Sequence, residues 1–157
     1  MSPARRANTE ASRLDSHLGF WLRFVSNHVS AGFAAALERE GVAVSEWVAL
    51  RYLFDGDGAS AGELIDALGM TKGAVSKLVT RLEERQLVAR RPDDDDRRGQ
   101  VLALTRQGRA LVPRLARLAD DNDAYFFGHL PAAQREELIA TLRDIARRHL
   151  LRTVPVD

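Results

Sequence analysis

The stretch SAGELIDALGMTKGAVSKLVTRLE, residues 60–83, decides the fold. Ser60 followed by Glu63 spells a capping box: the serine oxygen accepts from the third helical N–H while the glutamate reaches back to the serine N–H. Leu64, Ile65 and Leu68 give this helix one apolar face, and Gly69 ends it after about two turns. Thr71 can cap a second helix running to about Gln86, with a core stripe of Val75, Leu78, Val79 and Leu82 at helical spacing. At about 100° per residue the opposite face carries Gly73, Ser76, Lys77, Thr80 and Glu84, with Lys72 and Arg81 towards its flanks. Two short helices joined through a glycine, the second presenting small, hydroxyl and basic groups, predict a helix-turn-helix.

Outward from this unit, the pattern is again helical. From Leu14 to Leu37 apolar residues recur every three or four positions, predicting one amphipathic helix of about 25 residues, near 40 Å long. That exceeds the usual length in a small domain, so part of its face is expected to pack on a second subunit. Gly41 stops it, Ser45 is a candidate cap for the next helix, and Trp47, Leu50, Leu53 and Phe54 supply that helix's apolar side. The turn Asp55-Gly56-Asp57-Gly58 closes it. Downstream, Leu87–Arg91 and Gln100–Leu104 flank the polar run Pro92 to Gly99, the pattern of a hairpin. Thr105 then caps a long helix with the stripe Leu111, Leu115, Leu118 and Ala119; Pro113 within it is expected to kink it or orphan a carbonyl. After a turn near Gly128–Pro131, a last helix carries Leu138, Ile139, Leu142, Ile145, Ala146 and His149 on one side.

Composition narrows the function. The chain has 157 residues, 45% apolar and 29% charged, which fits a single soluble domain with a real core. It is too short for an α/β barrel or a two-lobed dinucleotide enzyme. It has no cysteine, which excludes disulfides, thiolate metal sites and thiol redox sensing. No stretch reaches membrane-span length and the polar start lacks a secretory pattern, so the cytoplasm is the expected compartment. The net charge is only +1, yet Thr71 to Arg91 holds six basic residues against two acids. Such a stripe is either a footprint for phosphate or a solvated helix face.

The helix-turn-helix followed by a charged hairpin favours DNA, because a helix fits the major groove and a hairpin can lay arginines along the adjacent minor groove. At this point the sequence resembles the MarR family of winged-helix transcription regulators. The residues that carry the resemblance are the run Leu64 to Glu83 and the segment from Asp96-Arg97-Arg98-Gly99 through Thr105-Arg106-Gln107-Gly108, which is similar to that family's wing signature. It covers about residues 12–150. It implies a mainly α fold: a winged helix-turn-helix lobe over about 45–105, with three core helices and a two-stranded wing. Dimerisation helices would occupy about 12–40 and 106–150, all within one domain spanning 1–157.

The resemblance further implies a homodimer that reads a pseudo-palindromic duplex, in many relatives as a repressor released by a small aromatic or anionic effector. It assigns DNA contacts to Thr71, Lys72, Gly73, Ser76 and Lys77, with Thr80 and Arg81 at the helix's far end. Gly73 would allow close backbone approach, Arg97 or Arg98 would enter the minor groove, and Asp96 would orient its partner arginine. One departure stands out: Asp93, Asp94 and Asp95 add carboxylates to a loop that should face phosphate. They would repel DNA unless paired with Arg90, Arg91 or the wing arginines.

Other chemistries fare worse. Asp55-x-Asp57 opens like a calcium loop, but Ser60 and Asp66 stand where glycine and a bidentate glutamate are needed. His17, His28, His129 and His149 show no metal-ligand spacing, so no metal or cofactor is expected. Gly58-Ala59-Ser60-Ala61-Gly62 spells a nucleophile elbow, yet Ser60 opens a helix and no buried strand precedes it, so an enzyme is not expected. His17, Trp21, Phe24, His28, Trp47 and Tyr52 could line an effector crevice, or serve as ordinary core. The remaining alternative is a helical protein-interaction dimer that has lost DNA binding, with the acidic wing as its support.

Overall fold

The computed structural model describes residues 11–96, 99–152 and 154–157. The wing arginines Arg97 and Arg98 lie outside the described residues. The described residues form six α-helices and one hairpin: α1 (Leu18–Arg39), α2 (Val44–Asp55), α3 (Ala61–Leu68), α4 (Lys72–Glu84), β1 (Val88–Pro92), β2 (Gln100–Leu104), α5 (Arg106–Phe127) and α6 (Ala132–Arg148).

Capping explains most boundaries. Ser60 Oγ accepts from Glu63 N and Glu63 Oε2 accepts from Ser60 N, closing the expected box at α3. Gly69 then takes φ 62°, the left-handed conformation that ends a helix cheaply only at glycine. Thr71 Oγ1 caps α4 by accepting from Ala74 N at 3.2 Å. Thr105 caps α5 through Gly108 N and also donates its hydroxyl to Gln86 O, at 2.6 Å.

Three expectations need correction. Leu14–Ser16 is a separate 3-10 turn, so the first α-helix begins only at Leu18. His17, extended at φ −92° and ψ 124°, separates the two. Ser45 does not cap α2: the N-cap is Ala43, whose N–H is met by Glu46 Oε2 at 3.0 Å. The helix of residues 72–84 stops two residues short of Gln86, which adopts φ 58° and turns the chain into β1. Pro113 lies inside α5, which runs on through it from Arg106 to Phe127; lacking an N–H, the proline cannot donate to the Arg109 carbonyl.

The core lies where the stripes of the lobe converge. Val75, Leu78, Val79 and Leu82 of α4 meet Leu64 and Leu68 of α3, Leu50 and Leu53 of α2, and Leu102 of β2, all within one buried cluster. The hairpin pairs antiparallel, Val88 with Leu104 through Pro92 with Gln100. Ala59 adds a one-residue bridge to Leu102, with N–H to O distances of 2.9 and 2.8 Å. This bridge anchors the start of α3 to the wing. Below the lobe, α1 crosses α5 closely at Gly32, where Asn122 Nδ2 donates to Val29 O at 3.1 Å.

Candidate nucleic-acid interface

Burial of the α4 stripe turns the other side of that helix outward. Thr71, Lys72, Gly73, Ser76, Lys77, Thr80 and Arg81 are all exposed. Ser76, Lys77, Thr80, Arg81 and Glu84 line one shallow concavity. A side chain added at Gly73 would meet nothing within 4 Å, so the protein's own packing does not require glycine there. Thr80 Oγ1 donates back to Ser76 O at 2.9 Å, which satisfies the hydroxyl's donor on the helix itself.

The basic stripe divides into two kinds of residue. Four arginines are engaged: Arg81 and Arg85 on Glu46, Arg90 on Glu83, and Arg91 on Asp94 and the Asp57 carbonyl. Among the described residues Lys72 and Lys77 carry no ion pair. Within the stripe, the cations without an ion pair among the described residues thus lie in the first half of α4, near the helix end whose dipole favours an anion.

At the wing, Asp93 N donates to Gly99 O and Gly99 N to Asp96 O, which closes the loop. Asp93 Oδ1 accepts from Asp95 N, so Asp93 shapes this turn. Asp94 pairs with Arg91 at 3.4 Å while 91% of its side chain stays exposed. Part of the expected acidic repulsion is therefore answered by Arg91, though across water-accessible surface such a pair is weak. Asp96 is also engaged in an interaction of its own.

The six aromatic and histidine candidates fall in separate places. Trp21, Phe24 and His28 contact one another along α1, with ring centroids 6.2 Å apart for Trp21–Phe24 and 4.7 Å for Phe24–His28. His28 Nδ1 lies 2.8 Å from Phe24 O, and the Trp21 indole donates to Asp15 O. His17 bonds Ser12 and the Arg13 carbonyl. Trp47 stacks edge-on against Phe33, and with Tyr52 it lines a crevice closed by Ala67, Leu68 and Val154.

A second apolar surface is lined by α1, α5 and α6 and not by α4. Leu18, Leu22, Val25 and Val29 of α1 face Phe126, Phe127, Leu138 and Leu142 across an open groove of about 630 Å³ that Trp21 also lines. Leu18, Leu22, Val25, Leu138, Ile139 and Leu142 are each more than two-fifths exposed, and α6 contributes no buried residue. No described helix is long and apolar enough to cross a membrane, and the described residues hold no His, Asp and Glu cluster suited to a metal ion.

A three-helix unit with a recognition-type helix, a two-stranded wing and flanking long helices defines the winged helix-turn-helix class. The sequence profile of the MarR family matches residues 40–99. The HTH-type transcriptional repressor Rv2887 of Mycobacterium tuberculosis is 32% identical over 123 residues, 78% of this chain and 88% of that protein. Among solved structures, BpsR of Bordetella bronchiseptica, whose DNA binding is regulated by 6-hydroxynicotinic acid, matches with TM-score 0.72 and 26% identity. That match covers 87% of this chain and 98% of the other. CouR from Rhodococcus jostii RHA1, bound to p-coumaroyl-CoA, gives TM-score 0.74 and 28% identity over 87% of this chain and 96% of its own. The chain belongs to the MarR family of transcription regulators.

Proposed function

We propose that the protein is a homodimeric, sequence-specific DNA-binding repressor that reads a pseudo-palindromic operator and lets go when a small aromatic or anionic effector binds. The observation that carries the DNA part is the outward face of α4. It presents Ser76, Gly73 set against open space, and Lys72 and Lys77, which have no ion pair among the described residues, on a helix whose other side is locked into the core. Thr71, Lys72, Gly73, Ser76 and Lys77 face the major groove. Thr80 and Arg81 complete that contact, and Arg97 or Arg98, with Asp96 beside them, follows the minor groove.

Homodimerisation rests on the exposed apolar residues of α1 and α6, which a second copy would cover. Two lobes held this way bring their recognition helices into successive major grooves, about 34–36 Å apart. An effector that prefers a differently spaced dimer lowers DNA affinity by linkage. The aromatic acid and thioester associated with BpsR and CouR support a planar, acidic effector class for this chain as well. Trp21, Phe24 and His28 on one side, and Trp47 with Tyr52 on the other, are the candidate walls; His17 sits at the head of α1.

The test is selection of duplexes from a random pool by the purified protein. Recovery of an inverted repeat with half-sites about 10 base pairs apart supports the reading. A pool that stays random overturns it. Aromatic acids are then screened for release of the selected duplex.

A further inference from the structure

Glu46 is 5% exposed, and both of its carboxylate oxygens are used. Oε2 accepts from Ala43 N at 3.0 Å and from Arg85 Nη1 at 3.4 Å, while Oε1 accepts from Arg81 Nε at 3.2 Å. Arg85 Nη1 also donates to Gly41 O at 2.7 Å. One buried carboxylate therefore joins the α1–α2 connection to the C-terminal end of α4. Arg81 is the shared member: its Nε is fixed on Glu46, while 53% of its side chain is exposed where it lines the concavity with Ser76 and Lys77. A buried carboxylate held by two guanidinium groups and a backbone N–H is a rigid joint, because losing one partner would strand charge out of water.

We propose that Glu46 is a positioning residue for DNA recognition. It fixes the angle of α4 against α1 and α2 and aims the free edge of Arg81 at the duplex, while withholding the charge of Arg85 from phosphate. This rests on the DNA-binding reading of α4, and it assigns specificity to a residue that touches no DNA. The physical consequence is a pair of opposite effects. Removing the carboxylate loosens the helix, which weakens selective binding. It also frees two cations next to the interface, which strengthens non-selective binding.

Binding of the wild type, Glu46→Gln and Glu46→Ala is measured on a selected operator and on random duplex, across a salt series. For Glu46→Ala the ratio of operator to random affinity is expected to fall at least tenfold. Random-duplex affinity should rise, with a slope of log affinity against log salt steeper by about 0.9 for each arginine that reaches a phosphate. Glu46→Gln keeps the acceptor for Ala43 N and should fall between the two. A parallel loss on both duplexes is what simple destabilisation produces, and it would overturn the proposal; so would an unchanged ratio.

A second measurement is independent of DNA. The chain has no cysteine, so Ala35→Cys with Ser76→Cys places one spin label on α1 and one on α4 of the same chain. With unlabelled chain in excess, the distance distribution should broaden when Glu46→Gln or Glu46→Ala is added. An unchanged distribution contradicts the joint. If the distribution broadens but the wild type selects no duplex, the joint stands and the DNA-binding reading fails.

Discussion

Two glycines show how differently the same residue is used. A Cβ on Gly108 would lie 2.0 Å from Leu87 O, so the start of α5 can rest on the end of the α4–β1 turn only if position 108 carries no side chain. Gly108→Ala should destabilise the protein by about 1–3 kcal/mol, read as a lower urea midpoint. Gly73 has open space instead. Gly73→Ala should leave the fold intact or stabilise it by about 0.5 kcal/mol, since alanine suits a helix better. It should nevertheless weaken operator binding by about tenfold, the scale of a single base-edge interaction. Opposite signs on stability and affinity would separate a residue kept for packing from one kept for the ligand. Equal losses of stability in both variants would show that Gly73 serves the fold.

Among the elements, α4 and the wing carry the electrostatics. The stripe of α4 was legible because four buried positions at helical spacing leave no ambiguity about which side faces inward. Leu78→Ala, at full burial, should cost about 2–5 kcal/mol in unfolding experiments. What the spacing could not reveal is which of the stripe's six basic residues are spoken for, since Glu46 lies 35 residues from Arg81 and 39 from Arg85. The same holds for the Ala59–Leu102 bridge, a single residue with no run of its own to mark it. Ser45 misled for a local reason: α2 already begins at Val44, so Ser45 lies inside the first turn, and Glu46 reaches back to accept from the N–H of the cap residue Ala43.

In the wing, Asp93 helps shape the loop but Asp94 remains open to water. Asp94→Asn should therefore tighten binding by roughly twofold, the worth of one like charge at about 8 Å in water, or about 0.5 kcal/mol. Asp93→Asn keeps an oxygen for Asp95 N and should act in the same direction. Arg97→Ala or Arg98→Ala should lower affinity and flatten the salt dependence by about 0.9 for each phosphate no longer neutralised. Weaker binding after Asp94→Asn would mean that its pair with Arg91 matters more than its repulsion of DNA.

At the scale of the whole molecule, the lobe buries its apolar faces within one chain while the terminal helices leave much of theirs exposed. The lobe buries its stripes, whereas α6 leaves Leu138, Ile139 and Leu142 in water. That contrast was partly legible in the excessive length of the first apolar period, even though α1 starts later than the pattern suggested. The arrangement of the proposed effector walls was less legible. Aromatic spacing identified the neighbours Trp21, Phe24 and His28, but the neighbours of Trp47 and Tyr52, which are Phe33, Ala67, Leu68 and Val154, follow from how α2 packs. If a second copy covers α1 and α6, then Leu142→Asp should give a monomer by analytical ultracentrifugation. It should bind a full operator at least about a hundredfold more weakly, because the two half-sites are then no longer engaged by one linked molecule. A variant that stays dimeric would move the interface elsewhere.

Recognition of duplex DNA is proposed for the outward face of α4. Its most direct test is binding of the purified protein to the region upstream of its own gene, at two salt concentrations, with random duplex as competitor. The predicted result is sequence-selective binding that weakens steeply with salt and that disappears in Lys77→Ala together with Ser76→Ala while the fold is retained. Selective binding that survives those two substitutions would place recognition elsewhere on the molecule and contradict the claim.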